Sequence, residues 1–211
     1  MLGGTWPQGR GLARRWAGAG LTVVIGSRSA DRARETDTTL AEATDGTLTG
    51  ADNEAAAVAG DLVVVAVPWD SHAELLTKLA PVPAGKVVVD CVNLLGFDKQ
   101  GAFAVPVEEG SATQQAAVLL PDSAVVGAFH HVSAVLLEDP VATTVETDVL
   151  VIGDDRQATD LVRALASSIP GMRGVYAGRL RNAHQVEALT ANLISINRRY
   201  KSHAGVRVTD L

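Results

Sequence analysis

Four groups of residues have types and spacings suited to chemistry. The first is Gly4-Thr5-Trp6-Pro7-Gln8-Gly9, ahead of the helix-forming run RGLARRWAGAG. Its outer glycines match the ends of a G-x-G-x-x-G loop. In such a loop the first glycine makes a tight turn and the second lets the backbone approach a phosphate. The third lets the next helix pack on the preceding strand. The helix N-terminus then offers free N–H groups and the positive end of its dipole to an anion. Trp6 stands at the middle-glycine position. Because it precedes Pro7 its backbone is expected to be extended, and Pro7 suits the first helical turn. The indole is expected to crowd the phosphate and weaken its binding.

The second group is Ser27, Arg28 and Arg32, with Ser27 lying 23 positions after Gly4. Loops of this kind that bind NAD place Asp or Glu about 20 residues on, to hold the ribose hydroxyls. A hydroxyl with two guanidiniums would instead bind a 2′-phosphate, so NADP(H) is the expected nucleotide. The third group, Val67-Pro68-Trp69, closes a long apolar run. At a carboxyl edge these residues would border the nicotinamide ribose and ring; a turn with a packed Trp is the plainer alternative. The fourth is His130-His131, for which no acidic, Cys or His residue lies at metal-ligand spacing, so no metal is expected. Cys91, inside KVVVDCV, reads as a buried structural thiol.

These groups need a scaffold. LTVVIG, DLVVVAV, KVVVDCV and AVVGAF are continuous apolar runs of strand length, closed by Gly, Pro or Asn. Helix-forming segments alternate with them, including SADRARETDTTLAEA, NEAAAVAG, WDSHAELLTKLA and SATQQAAVLL. The pattern predicts an α/β fold: a Rossmann-type, doubly wound, mainly parallel sheet. Residues 1–150 form the expected nucleotide-binding domain. Residues 151–211 form a smaller, α-rich capping region: a strand, a helix capped by Asp154 or Asp155, a short strand and a long closing helix. On that helix Val186, Leu189, Leu193 and Ile196 share a stripe expected to serve as core or dimer interface.

Composition narrows the function. The chain has 211 residues and a net charge of −6, which argues against nucleic acid as a partner. No run approaches the roughly 18 apolar residues of a membrane span, and no secretory signal is evident. With a single cysteine, a soluble cytoplasmic protein is expected. Arg179, Arg181, Arg198, Arg199 and Lys201 give the ends of the last helix a basic character, read first as ordinary solvated charge, with steering of an anionic ligand as the alternative.

The motifs GGTWPQGRGLA, IGSRSADRA, VAVPWDSHAELL, DCVNLLGFDKQGA, AFHHVSAVLLEDP, TDVLVIGDDRQATDLV and GRLRNAHQVEALTANLISINRRYKSHAGVRVTDL together resemble NADPH-dependent reductases of the deazaflavin coenzyme F420. The resemblance runs over essentially the whole chain. It implies reversible hydride transfer between nicotinamide C4 and deazaflavin C5. It also implies that Thr5 to Gln8 hold the pyrophosphate, and that Trp69, Ala73, Leu95 and Ala134 line the rest of the nicotinamide cofactor. The deazaflavin side would be built from the VNLLG loop with Asn93, from His130 and Val132, and from the segment around Ala204. His130 would be the catalytic contact, hydrogen bonding the ring's polar edge; a histidine packed at a domain junction is the plainer alternative. A homodimer is implied as well.

Three departures accompany the resemblance. Trp6 replaces a glycine and Leu94 a proline, and only Met1 and Leu2 precede the loop where the family has several strand residues. The last suggests a misassigned start or a truncated first strand. The alternatives are a reductase of another acceptor (free flavin, a metal chelate or an imine) and a non-catalytic NADPH-binding relic.

Overall fold

The computed structural model describes residues 1–41, 44 and 46–211. The N-terminal half runs α1 (Pro7–Gly18), β1 (Val23–Ser27), α2 (Ala30–Ala41), β2 (Leu48–Asp52), α3 (Asn53–Ala59), β3 (Leu62–Val65), a 3₁₀ turn (Trp69–Ser71), α4 (His72–Leu79) and β4 (Val87–Asp90). A hairpin follows, β5 (Leu95–Asp98) and β6 (Gly101–Ala104). Then come α5 (Ala112–Leu119), β7 (Ala124–Gly127), α6 (Ala134–Glu138), β8 (Thr147–Gly153), α7 (Arg156–Ser167), β9 (Met172–Gly178) and α8 (Ala183–Tyr200). Glu42 and Ala43, the last two positions of the expected second helix, lie outside the described residues.

Five strands form one sheet in the order β3-β4-β7-β8-β9, and β1 and β2 form a separate parallel pair. The first residues of the chain join the two. Met1 O accepts from Gly26 N at 2.7 Å, Leu2 N donates to Val64 O at 2.7 Å, and Leu2 O accepts from Ala66 N at 3.0 Å. Met1–Leu2 therefore sits between β1 and β3 as a two-residue strand, and hydrogen bonding runs unbroken from β2 to β9. Side chains alternate as a strand requires. Met1 faces the core with Trp16, Val64 and Val89, and Leu2 faces the core with Val63, Val65 and Val88. Burial on both faces explains the continuous valine runs.

The expected mainly parallel α/β fold is the one observed. β8 runs antiparallel to β7, and β9 is parallel to β8. The expected division at 150/151 falls inside β8, so the α-rich C-terminal region is continuous with the sheet through two of its strands. Asp155, not Asp154, caps α7, accepting from Ala158 N at 2.8 Å. Along α8, Val186 and Leu193 are buried and Leu189 half-buried, but the stripe reaches solvent at Ile196. Among the described residues no helix is long and apolar enough to cross a membrane.

Candidate active site

A cleft of about 870 Å³ opens at the carboxyl ends of β1 and β3. Gly3, Thr5, Trp6, Ser27, Arg28, Arg32, Val67 and Pro68 line it, so much of the expected nucleotide set converges on one cavity. The loop geometry explains why. The tight turn falls on Gly3, with φ +69°, rather than on Gly4. A Cβ on Gly3 would lie 2.6 Å from Val67 Cγ1 and 2.7 Å from the Ala66 carbonyl, so no other residue fits between the loop and β3. Gly9 keeps its expected role: a Cβ there would stand 2.8 Å from Gly3 O, and its absence lets α1 start against the loop.

Trp6 has the expected extended backbone, φ −90° and ψ 156°, and Pro7 opens α1. Trp6 is 44% exposed and stands on the cleft wall. Ser27 is buried, whereas Arg28 and Arg32 are exposed and carry no ion pair among the described residues. Two uncommitted guanidiniums beside a hydroxyl fit a phosphate monoester. Lys78 adds a third cation from α4, and Val58, Leu75 and Leu79 supply an apolar wall. The position of α3 is secured by Lys86, whose Nζ donates to Ala57 O, Val58 O and Gly60 O at 2.7–2.9 Å.

The other expected residues lie deeper or further along the edge. Gln8 turns its amide to Phe129 O at 3.1 Å and so ties the glycine loop to the loop after β7. Phe129 holds φ +65°, a strained conformation for an aromatic residue, and Trp16 meets its ring edge-on at 5.5 Å. Asn93 Nδ2 donates to His130 O at 2.7 Å, and Thr190 Oγ1 donates to the same carbonyl at 3.0 Å. The loop after β4, the loop after β7 and α8 thus meet at one oxygen.

The His130 ring is fully buried, with Nε2 3.3 Å from Thr113 Oγ1 and 3.9 Å from Glu187 Oε1. Its Nδ1 has no partner among the described residues. Because Thr113 Oγ1 donates to Glu187 Oε1 at 2.9 Å, it is left to accept from His130 Nε2. That assignment makes Nδ1 a bare acceptor. For a ligand to reach that nitrogen, the packing around the ring has to part. His131 is buried too and accepts from Leu150 N at 3.2 Å; burial, with His130 beside it, pushes its pKa down to about 4.

Val132 is buried, Leu95 and Ala134 are half-buried, and Ala73 is exposed on α4. Ala204 N donates to Asn197 Oδ1 at 2.6 Å, where the tail leaves α8. The acidic neighbour of His130 was missed because it arrives on a distant helix. Glu187 is buried and accepts from Ala112 N and Thr113 N at 3.0 Å each, capping α5 from α8. Among the described residues no group of three or more His, Cys, Asp or Glu could hold a metal.

A family model described as NADP oxidoreductase, coenzyme F420-dependent, matches residues 1–94. The chain is 35% identical to the F420-dependent NADP reductase of Methanothermobacter thermautotrophicus, over 100% of this chain and 94% of that protein. It is 34% identical to the F420-dependent NADP reductase of Methanocaldococcus jannaschii, over 100% of this chain and 97% of that protein. The chain belongs to the F420-dependent NADP reductase family. The fold agrees: a candidate F420-dependent NADP reductase from an Arthrobacter species superposes with a TM-score of 0.78 at 24% identity, over 94% of this chain and 95% of that one.

Within the reductase family frame, the cleft residues and the buried junction form two parts of one edge. Val67 and Pro68 line the cleft, while Trp69 turns inward and stacks on His72, with centroids 5.4 Å apart and planes at 22°. His72 and Asp90 were not singled out in the sequence. Each sits in a segment that reads as an ordinary helix start or strand end.

Proposed function

We propose that this chain transfers a hydride reversibly between NADP(H) and the deazaflavin coenzyme F420. One observation carries the reading above the rest. A cleft whose wall holds Ser27 and two guanidiniums with no ion pair among the described residues lies in a chain that aligns end to end with F420-dependent NADP reductases. The bound rings supply the donor and acceptor carbons, and the protein supplies alignment and exclusion of water.

In this reading Gly4, Thr5, Trp6, Pro7, Gln8 and Gly9 hold the pyrophosphate, and Ser27, Arg28 and Arg32 hold the 2′-phosphate. Val67, Pro68, Trp69, Ala73, Leu95 and Ala134 flank the nicotinamide. Asn93, His130, Val132 and Ala204 serve the deazaflavin. His130 Nδ1, without a partner among the described residues, supports its role, since a ring N–H would give that buried acceptor one. Residues 151–211 act as the closing region of the cleft. The protein works as a homodimer, for which Phe97, Phe103, Ile196 and Tyr200 offer exposed apolar surface. Cytoplasmic residence belongs to the same proposal, supported by a lone cysteine that is free and buried.

The test mixes protein, NADPH and oxidised F420 and follows loss of the deazaflavin absorbance, with free flavin as control acceptor. F420 reduction with NADPH is expected. Turnover with flavin only, or no NADPH binding, overturns the proposal. His130→Ala should slow turnover far more than it weakens NADPH binding; equal effects would remove His130 from the reacting site.

A further inference from the structure

Beneath the carboxyl edge lies a polar chain that the cofactor sites do not use. His72 opens α4 and is fully buried. Its Nε2 is 2.7 Å from Asp90 Oδ2, and its Nδ1 is 2.9 Å from Gln115 Oε1. The Gln115 amide nitrogen faces Glu109, 3.3 and 3.4 Å from the two carboxylate oxygens. A carboxylate only accepts, so Glu109 fixes the orientation of the Gln115 amide. Its oxygen is then the atom that meets His72, and both imidazole nitrogens face acceptors. Satisfying both needs an imidazolium.

The ring also joins the two loops assigned to the reacting rings. On one face it stacks on Trp69, which opens the 3₁₀ turn after β3. Through Asp90 it reaches the loop after β4, because Asp90 Oδ1 accepts from Val92 N at 2.9 Å. The next residue, Asn93, holds the His130 carbonyl. A continuous path therefore runs from Trp69 through His72, Asp90 and Val92 to Asn93 and His130.

We propose that the buried His72–Asp90 pair, with its ring charged, is a positioning element that sets the distance between the nicotinamide-side loop at Trp69 and the deazaflavin-side loop at Asn93. The inference rests on the ring sites assigned above. Hydride transfer between two bound rings is steep in their separation, so a shift of either loop acts on turnover before it acts on binding of the adenosine end. His72 does not line the cleft that holds Arg28 and Arg32.

The groups facing the ring define its charge. Asp90 comes from β4, Gln115 and, behind it, Glu109 from α5 and its lead-in, and Glu187 acts at longer range from α8. Burial works against the charged ring, but Asp90, Gln115 and Glu187 outweigh it and hold the imidazole above its ordinary range. The thiol of Cys91, beside Asp90, is pushed well up by burial and by that carboxylate, so it stays protonated. The two facing acceptors call for the charged ring, and the raised value carries that form to higher pH than an ordinary imidazole keeps it. It is lost as pH rises through the raised value, because the charged form favours the folded arrangement below it.

Two measurements test this. On the free protein, ¹⁵N-resolved NMR should find both ring nitrogens of His72 protonated at pH 7; a neutral ring overturns the proposal without any variant. In turnover, His72→Gln should lower kcat about tenfold while NADPH affinity moves less than about twofold. The alkaline limb of the wild-type kcat profile should vanish in that variant, and Asp90→Asn should reproduce both effects. Unchanged kcat, or parallel loss of kcat and NADPH binding, overturns it. Trp69→Leu and Asn93→Ala are measured alongside: if both keep wild-type kcat, the ring-site assignment itself fails, whatever His72 does.

Discussion

At one end of the carboxyl edge, Trp6, Arg28 and Arg32 stand in solvent around an open cleft, with guanidiniums that have no ion pair among the described residues. At the other end His72, Asp90, Gln115, Thr113, His130 and Glu187 are all buried. There nearly every polar atom is already bonded to another element. The open end presents exposed positive charge to the cleft, as the proposed 2′-phosphate site requires. The closed end spends its polar groups on holding loops and helices together, so a change there acts on the architecture first. Substitutions should therefore divide the molecule cleanly, with stability effects at the junction and affinity effects at the cleft.

The largest effect is expected from Glu187→Leu. It removes a buried carboxylate that accepts from Ala112 N, Thr113 N and Thr113 Oγ1, and leaves two helix-start donors without that acceptor. A loss of about 3 kcal/mol in urea unfolding is expected, the usual scale for stranding buried donors of a charge-assisted cluster. A loss below about 1 kcal/mol would mean that α8 and α5 are held together by their apolar contacts alone.

The junction should also sense acid. His131 has its pKa lowered from 6.5 to about 4, so the unfolded chain binds a proton that the native protein refuses. Stability then rises with pH across this window and falls on acidification from 6.5 towards 4, by roughly 3 kcal/mol when complete. Unfolding measured at intervals over that range in wild type and His131→Gln checks this. An equally steep fall in the variant would assign the acid limb to carboxylates instead.

The same division explains what could be read from the sequence. Gly9, Ser27, Arg28 and Arg32 lie within one glycine loop and one strand end, so spacing alone marks them. β3, β4 and β7 are legible because strands buried on both faces read as unbroken valine runs. β2 is not: Leu48-Thr49-Gly50-Ala51-Asp52 carries one β-branched residue and lies at a sheet edge. The β5–β6 hairpin left a signal that was passed over, in Asp98, whose Oδ1 accepts from Gln100 N and Gly101 N. Glu187 and His72 find their partners 74 and 18 positions away, across packed elements that no local pattern specifies.

At the cleft, Arg28→Ala should raise the KM for NADPH about tenfold and leave thermal stability almost unchanged. The KM for NADH should hardly move, since NADH has no 2′-phosphate for the guanidinium to hold. A matching rise with NADH would place Arg28 elsewhere on the nucleotide. Arg32→Ala should act in the same direction and less strongly, because it sits a helical turn further from Ser27.

The smallest effect, and the most informative about the cleft, belongs to Trp6. Its backbone is extended and caps α1 without a side-chain hydrogen bond, so Trp6→Gly removes no bond that the helix start depends on. The added chain freedom costs only a few tenths of a kcal/mol at a cap position. What changes is space, because a residue 44% exposed on the cleft wall gives way to open volume beside the glycine loop, the proposed pyrophosphate site. NADPH affinity should therefore tighten about threefold, a gain below 1 kcal/mol. Trp6→Leu, which keeps the apolar bulk, should recover less of it. An unchanged affinity in Trp6→Gly would mean the indole stands clear of the nucleotide. Weaker binding would mean that the ring is itself a contact, and the open end of the site would then hold its ligand by an aromatic face as well as by charge.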